Sequence, residues 1–165
     1  MQEHGLKISE LVTLFNLEVL NRGSDYDTAL LTITDVNRPG LQFHSFYDYF
    51  DPRRLQVLGK AEITYLKGLT TEQRRKCFDD LFLYDIPALV ISRGLDCFPE
   101  CLESARVHER TLLRTEETTV EFTSHTIEYL NRVLAPCPPR RTAGHLRRGR
   151  DDYRRLRHRQ ERVRH

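Results

Sequence analysis

Apolar positions along the chain switch between alternation and helical spacing, and each switch predicts an element. Leu11, Val12 and Phe15 share one face of a short helix that Ser9 can cap. Residues 17–20 alternate like a half-buried strand, and Asn21-Arg22-Gly23-Ser24-Asp25 reads as a turn. Leu30-Leu31-Thr32-Ile33-Thr34 is apolar and β-branched, which predicts a core strand. Leu55-Gln56-Val57-Leu58 is a further short strand, closed by Gly59-Lys60. The helix expected over 60–67 places Ala61, Ile63 and Tyr65 near one face, and Gly68 breaks it. Thr70-x-x-Gln73 fits a capping box, opening a helix that buries Cys77, Phe78, Leu81 and Phe82. Residues 87–91 form a buried strand that runs into the polar turn Ser92-Arg93-Gly94. Pro99 suits the first turn of a helix carrying Leu102, Ala105 and Val107. Residues 111–115 are another short strand, and Thr118-x-x-Glu121 is a second capping box. The helix behind it has Phe122, Ile127, Leu130 and Leu134 among its apolar positions. Strands and helices alternate, so the expected class is α/β, with a small mixed sheet flanked by helices in one domain.

The stretch from Asp35 to Lys60 concentrates the strongest local signals. In Asn37-Arg38-Pro39-Gly40 proline fixes one φ and glycine can take a positive φ at the next position, so a turn is expected. Phe43, Phe46, Tyr47, Tyr49 and Phe50 follow, five of the fifteen Phe and Tyr residues of the chain. Such a density of rings predicts a well-packed corner of the core.

Composition changes this picture at one end. The net charge of +2 hides a division: residues 1–136 hold 15 Lys/Arg against 21 Asp/Glu, whereas 137–165 hold 11 Arg, no Lys and three acids. The boundary falls at Pro136-Cys137-Pro138-Pro139. No apolar run approaches a membrane span, and the first residues lack a signal-peptide core, so a cytoplasmic protein is expected. Cys97 and Cys101 form a C-x₃-C pair around Pro99, but zinc would need a second pair of ligands. Cys77, Cys97, Cys101 and Cys137 are therefore expected as reduced thiols, with no metal site.

Candidate chemistry is sparse. Strand ends in α/β proteins often face ligands, so Asn37, Arg38, Ser92 and Arg93 are candidate polar contacts for an anion or small molecule. An ordinary strand-to-helix loop is the preferred reading of Ser92-Arg93-Gly94, since one short loop is weak evidence for a site. His44 near Asp48 reads as a packed or surface histidine rather than half of an acid–base pair.

The order NRPG, then FYDYF, then a basic residue before LQVLGK resembles the N-terminal domain of bacterial HPr kinase/phosphorylase. The run PALVISRGL, the LLRT before a threonine-rich helix start, and the helix ending in LAP extend the resemblance over residues 8–136. That enzyme phosphorylates a serine of the sugar-transport phosphocarrier HPr and also removes the phosphate. The resemblance implies a full-length enzyme that uses ATP or pyrophosphate with Mg²⁺, assembles as a hexamer and serves carbon-source regulation. The family's N-terminal domain in turn resembles the nucleotide-sugar-binding domain of peptidoglycan-building ligases, a likeness that does not establish its ligand.

In the family a kinase domain with a P-loop follows; here the sequence is CPPRRTAGHLRRGRDDYRRLRHRQERVRH. A basic arm for nucleic acid and a solvated charged helix from Asp151 are two readings of it. Lack of a binding fold, of Lys and of aromatic residues beyond Tyr153 counts against nucleic acid. The third reading is translation out of frame. Codons for residues 154–162, read one base on, admit G-D-S-G-I-G-K-S-E, a complete P-loop of the form G-x-x-x-x-G-K-[ST]. Residues 139–150 likewise admit H-G-V-L-L-D-I-Y-G-V-G-V, the family's approach to it. The tail is thus expected to be a disordered, out-of-frame remnant of the start of the kinase domain.

As translated, those positions lack the glycines that cradle phosphate, so no catalytic residue, ATP or Mg²⁺ site is assigned. The expected function is that of a regulatory or assembly domain, catalytically inactive by itself, whose partner HPr is engaged through the missing kinase domain. A stand-alone small-molecule- or protein-binding regulatory module is the alternative.

Overall fold

The computed structural model describes residues 4–135. Every expectation about residues 137–165, including disorder, lies outside the described residues.

The strands β2 (Glu18–Asn21), β4 (Val36–Asn37), β5 (Leu55–Leu58), β6 (Leu89–Ile91) and β7 (Leu112–Arg114) form one sheet in the order β2-β7-β6-β5-β4. β4 through β7 are parallel to their neighbours, and β2 pairs antiparallel with β7. The sheet is therefore mixed and the class α/β. A separate ribbon joins β1 (Leu6–Lys7) to β3 (Leu30–Leu31), antiparallel. The helices are α1 (Ile8–Phe15), α2 (Gly40–Phe43), α3 (Lys60–Lys67), α4 (Thr71–Phe82), α5 (Pro99–Val107) and α6 (Thr119–Leu134).

Period-two alternation divides the strand residues between two cores. Leu55, Val57, Val90 and Leu113 point to one face, against Ile8 and Leu11 of α1 and Phe122 and Leu130 of α6. Leu58, Leu89, Ile91 and Leu112 point to the other, against Ile63, Leu66, Phe78, Leu81, Phe82 and Ala105 of α3, α4 and α5. Both faces are covered, which is why β5 and β6 are buried at every position rather than at every second one.

Several local expectations change. α1 starts one residue before Ser9, with Lys7 as a cap that makes no side-chain bond, because the chain enters it directly from β1. Ile8 and Leu11 fill its buried face, with Val12 and Phe15 at the margin. Of the predicted core strand over 30–34 only Leu30 and Leu31 pair, and they join the ribbon rather than the main sheet. α3 buries Glu62, Ile63 and Leu66, rotated away from Ala61, since Glu62 is held back toward the helix start. Thr70 and Gln73 bond each other's backbone N–H at 3.1 and 3.0 Å, the full capping box. At Thr118 only half forms: its hydroxyl accepts the Glu121 N–H at 3.1 Å.

The turn at Asn37-Arg38-Pro39-Gly40 is of a different kind from that expected. Gly40 does not have a positive φ; it opens α2 behind Pro39, whose φ of −79° suits a helix entrance. The ring cluster splits. Phe43 is buried against Phe78, whereas Phe46 is 44% and Tyr49 99% exposed. Tyr47 and Phe50 pack on Tyr84 instead, at 4.8 and 5.0 Å between ring centres.

Candidate functional site

The carboxyl ends of β4, β5 and β6 bring Asn37, Arg38, Gly59 and Ser92 to the same edge of the sheet. Asn37 donates from Nδ2 to Gln56 Oε1 at 2.7 Å and to Gln42 Oε1 at 3.0 Å. Gln56 is fully buried, and its own amide donates to the Arg54 carbonyl at 2.9 Å. This chain of amides ties β4 to β5 and leaves Asn37 no free donor to extend.

Arg38 forks onto Glu62, with Nε at 3.0 Å and Nη2 at 2.9 Å from the carboxylate. The same carboxylate accepts the Gly59 N–H at 2.7 Å. Glu62 therefore caps α3 and neutralises Arg38 in one place. Gly59 is required by crowding: a Cβ there would lie 2.5 Å from Thr119 Oγ1 and 2.6 Å from Arg38 Nη2.

Ser92 is fully buried. Its hydroxyl donates to the Leu58 carbonyl at 2.8 Å and accepts from Thr119 Oγ1 at 2.6 Å. Arg93 and Gly94 both take left-handed backbone, at φ 60° and 59°. Paired residues of that kind can form an anion cradle only if their N–H groups are free. Here Ser92, Arg93, Gly94 and Leu95 donate to Leu58, Glu117, Thr115 and Ser92 carbonyls at 2.7–3.2 Å. The Arg93 side chain is exposed and has no ion-pair partner among the described residues. Three of the four candidates thus meet in one polar knot, and Arg93 stands beside it.

Topology explains why the knot is closed. An open crevice in a parallel sheet forms where the winding reverses. β4, β5, β6 and β7 are laid down in sequence order across the sheet, so no reversal separates their loops. Glu62, Gln56 and Thr119 were not among the sequence candidates. Glu62 had a signal, since Gly59-x-x-Glu62 is the capping pattern of a helix start; Gln56 and Thr119 had none, because their partners are distant in sequence.

Other titratable groups are also tied internally. His44 Nδ1 lies 3.3 Å from the Tyr65 hydroxyl, with the ring centres 4.4 Å apart and the planes tilted by 43°, and Asp48 is not its partner. Asp79 Oδ1 receives Ser104 Oγ at 2.5 Å, Arg75 Nε at 3.2 Å and His108 Nε2 at 3.3 Å. Burial pushes the Asp79 carboxyl up, but Ser104, Arg75 and His108 outweigh it and hold it below the usual range. The serine donates to aspartate, not to histidine, so this is no nucleophilic relay. Among the described residues no group of three or more His, Cys, Asp or Glu is placed to hold a metal ion. No helix among them is long and apolar enough to cross a membrane.

Fold and site together define a small α/β domain whose strand-end polar groups are spent on one another. The fold is shared with the CBS and DRTGG domains of the regulatory region of a Clostridium perfringens pyrophosphatase, solved with its activator diadenosine tetraphosphate. The TM-score is 0.51 at 14% identity, over 77% of this chain and 49% of that one. The HPr Serine kinase N terminus family matches residues 6–130, and the chain belongs to that family. It is 39% identical over 132 residues to an HPr kinase/phosphorylase of Clostridium perfringens strain SM101, covering 80% of this chain and 42% of the relative. Against the same enzyme of Clostridium tetani strain Massachusetts it is 41% identical over 132 residues, covering 80% and 43%. The chain thus spans about two fifths of the length of the curated relatives it matches.

Proposed function

We propose that this domain is the N-terminal, regulatory or assembly part of an HPr kinase/phosphorylase, which phosphorylates and dephosphorylates a serine of HPr in the control of carbohydrate uptake. The family match over residues 6–130 carries the reading. ATP or pyrophosphate, Mg²⁺ and the docking of HPr belong to the kinase part of the enzyme, and the domain serves its assembly into a cytoplasmic hexamer. The 165-residue chain by itself transfers no phosphoryl group. Two observations support this: the strand-end polar groups are bonded inside the domain, and residues 154–162 as translated lack the P-loop glycines.

Incubation of the purified chain with HPr, ATP and Mg²⁺ tests the last point. No phosphoserine should form on HPr, and its appearance would overturn the reading. Resequencing the gene downstream of the Leu134 codon tests the out-of-frame tail. An open shifted frame encoding G-D-S-G-I-G-K-S-E is expected, and a closed one would sink that idea.

A further inference from the structure

Among the described residues nine large apolar side chains stand exposed, and five of them belong to one corner: Leu41, Phe46, Tyr49, Leu83 and Tyr84. Single exposed apolar residues are ordinary, whereas a cluster of them marks an interaction surface. Contacts tie the corner together. The Phe46 N–H donates to the Leu41 carbonyl at 3.1 Å, and Tyr84, next to Leu83, stacks on Tyr47. Tyr49 is the most exposed member, and its backbone is left-handed at φ 63°. A bulky residue takes that conformation against a steric cost, and a ring left in solvent gains nothing inside the domain to offset it.

Ser45, four residues earlier, is left-handed as well, at φ 65°, and it lines a cleft of about 180 Å³ between α2, α3 and α4. Phe43, Tyr65 and Leu69 supply the apolar lining, with Lys76 and Asp80 on the polar side. Four residues of chain reach at most about 14 Å, so the free ring and the cleft share one corner of the domain.

We propose that this corner pairs two copies of the chain about a twofold axis, Tyr49 of each copy entering the cleft of the other. The corner holds both halves of the contact, an unpartnered ring and a part-apolar cleft, so it is self-complementary, as a twofold contact requires. Charge agrees. Asp48, beside the ring, is exposed, and the Lys76 side chain at the cleft is 70% exposed. Docking the ring brings Asp48 of one copy to Lys76 of the other. Lys76 donates to Asp80 Oδ2 at 2.6 Å and keeps further N–H groups for a second carboxylate. Asp80 keeps its other oxygen to accept the incoming Tyr49 hydroxyl. Tyrosine suits such an anchor, because the ring buries apolar area while the hydroxyl finds a polar partner. One ring per copy makes a small interface, so the pair is weak and the dilute chain is monomeric.

Sedimentation equilibrium of the purified 165-residue chain, from about 5 µM to about 500 µM, tests the pairing. The weight-average mass should rise toward that of a dimer and stop there. Tyr49→Ser should weaken the association at least about tenfold, with circular dichroism and the unfolding midpoint of the dilute chain unchanged. Asp48→Lys and Lys76→Glu should each weaken it, and the two together should restore it. A chain that stays monomeric at about 500 µM would overturn the proposal. So would association that survives Tyr49→Ser, as attraction between the arginine-rich residues 137–165 and the acidic remainder would give. Growth beyond a dimer, the sign of an open head-to-tail contact, would sink it too.

Discussion

Two neighbouring segments of the chain, the strand-end knot around Arg38 and the ring-rich loop from Phe46 to Phe50, show opposite uses of strong local signals. At the knot, polar residues that invite a binding hypothesis are bonded within the domain: Arg38 by Glu62, Asn37 by Gln42 and Gln56, Ser92 by Leu58 and Thr119. In the loop, aromatic residues that invite a core hypothesis are partly outside, with Tyr49 almost wholly in solvent. A charged or amide group at a sheet edge is costly to bury unpaired, so it collects partners. A ring on a loop gains nothing unless an apolar surface lies within reach, and Tyr84 serves Tyr47 and Phe50 but not Tyr49. Residue type therefore predicts burial less well than the availability of a partner does.

The sharpest way to break this contrast is Glu62→Ala. It strips Arg38 of its fork and leaves the Gly59 N–H uncapped. Arg38 is 45% exposed and can recover water, so the loss falls below the roughly 3–5 kcal/mol of a fully buried pair, at about 2 kcal/mol. Urea unfolding should show a lower midpoint with an unchanged slope. An unchanged midpoint would mean that the knot is decorative.

A smaller effect is expected from the one strong polar device beside the ring-rich loop. Hydrogen bonds from the Arg53 guanidinium hold the Asp51 carboxyl down from 3.8 to about 2. Because the folded value is the lower one, the pair's contribution is complete above pH 3.8 and is lost as pH falls toward about 2. Both side chains reach solvent, at 66% and 25% exposure, so screening keeps the contribution small. Asp51→Asn should remove this part of the acid dependence, leaving neutral-pH stability lower by the same small amount. The smallest effect is expected from Tyr49→Ser, within about 0.5 kcal/mol in the same unfolding measurement. A loss of 2 kcal/mol or more there would show that the ring covers something in solution.

The sequence reading reached the fold class, the family and most elements, and it did so where the deciding interactions are short in range. The capping box at Thr70, the half-box at Thr118, Pro99 at the start of α5 and the apolar faces of α4 and α6 are set by neighbours within one or two turns. It misjudged Leu30 to Thr34 because a β-branched run says that a strand is possible but not which edge accepts it. Gly40 was misjudged similarly: glycine permits a positive φ, while the entrance to α2 behind Pro39 decided the outcome.

For the site the division is sharper. The sequence by itself placed Arg38, Ser92 and Arg93 in loops that follow strands, because strand ends follow from local pattern, but it read Asn37 as a turn residue where β4 ends. Only the tertiary structure decided that Arg38 meets Glu62 and that Ser92 meets Thr119. These contacts join residues 24 and 27 positions apart, and they exist because parallel register sets β4, β5 and β6 side by side with the start of α6 at their ends. Local free energy fixes which segments become strands and helices. The pairing of their ends depends on sheet order, which no short window of the chain contains.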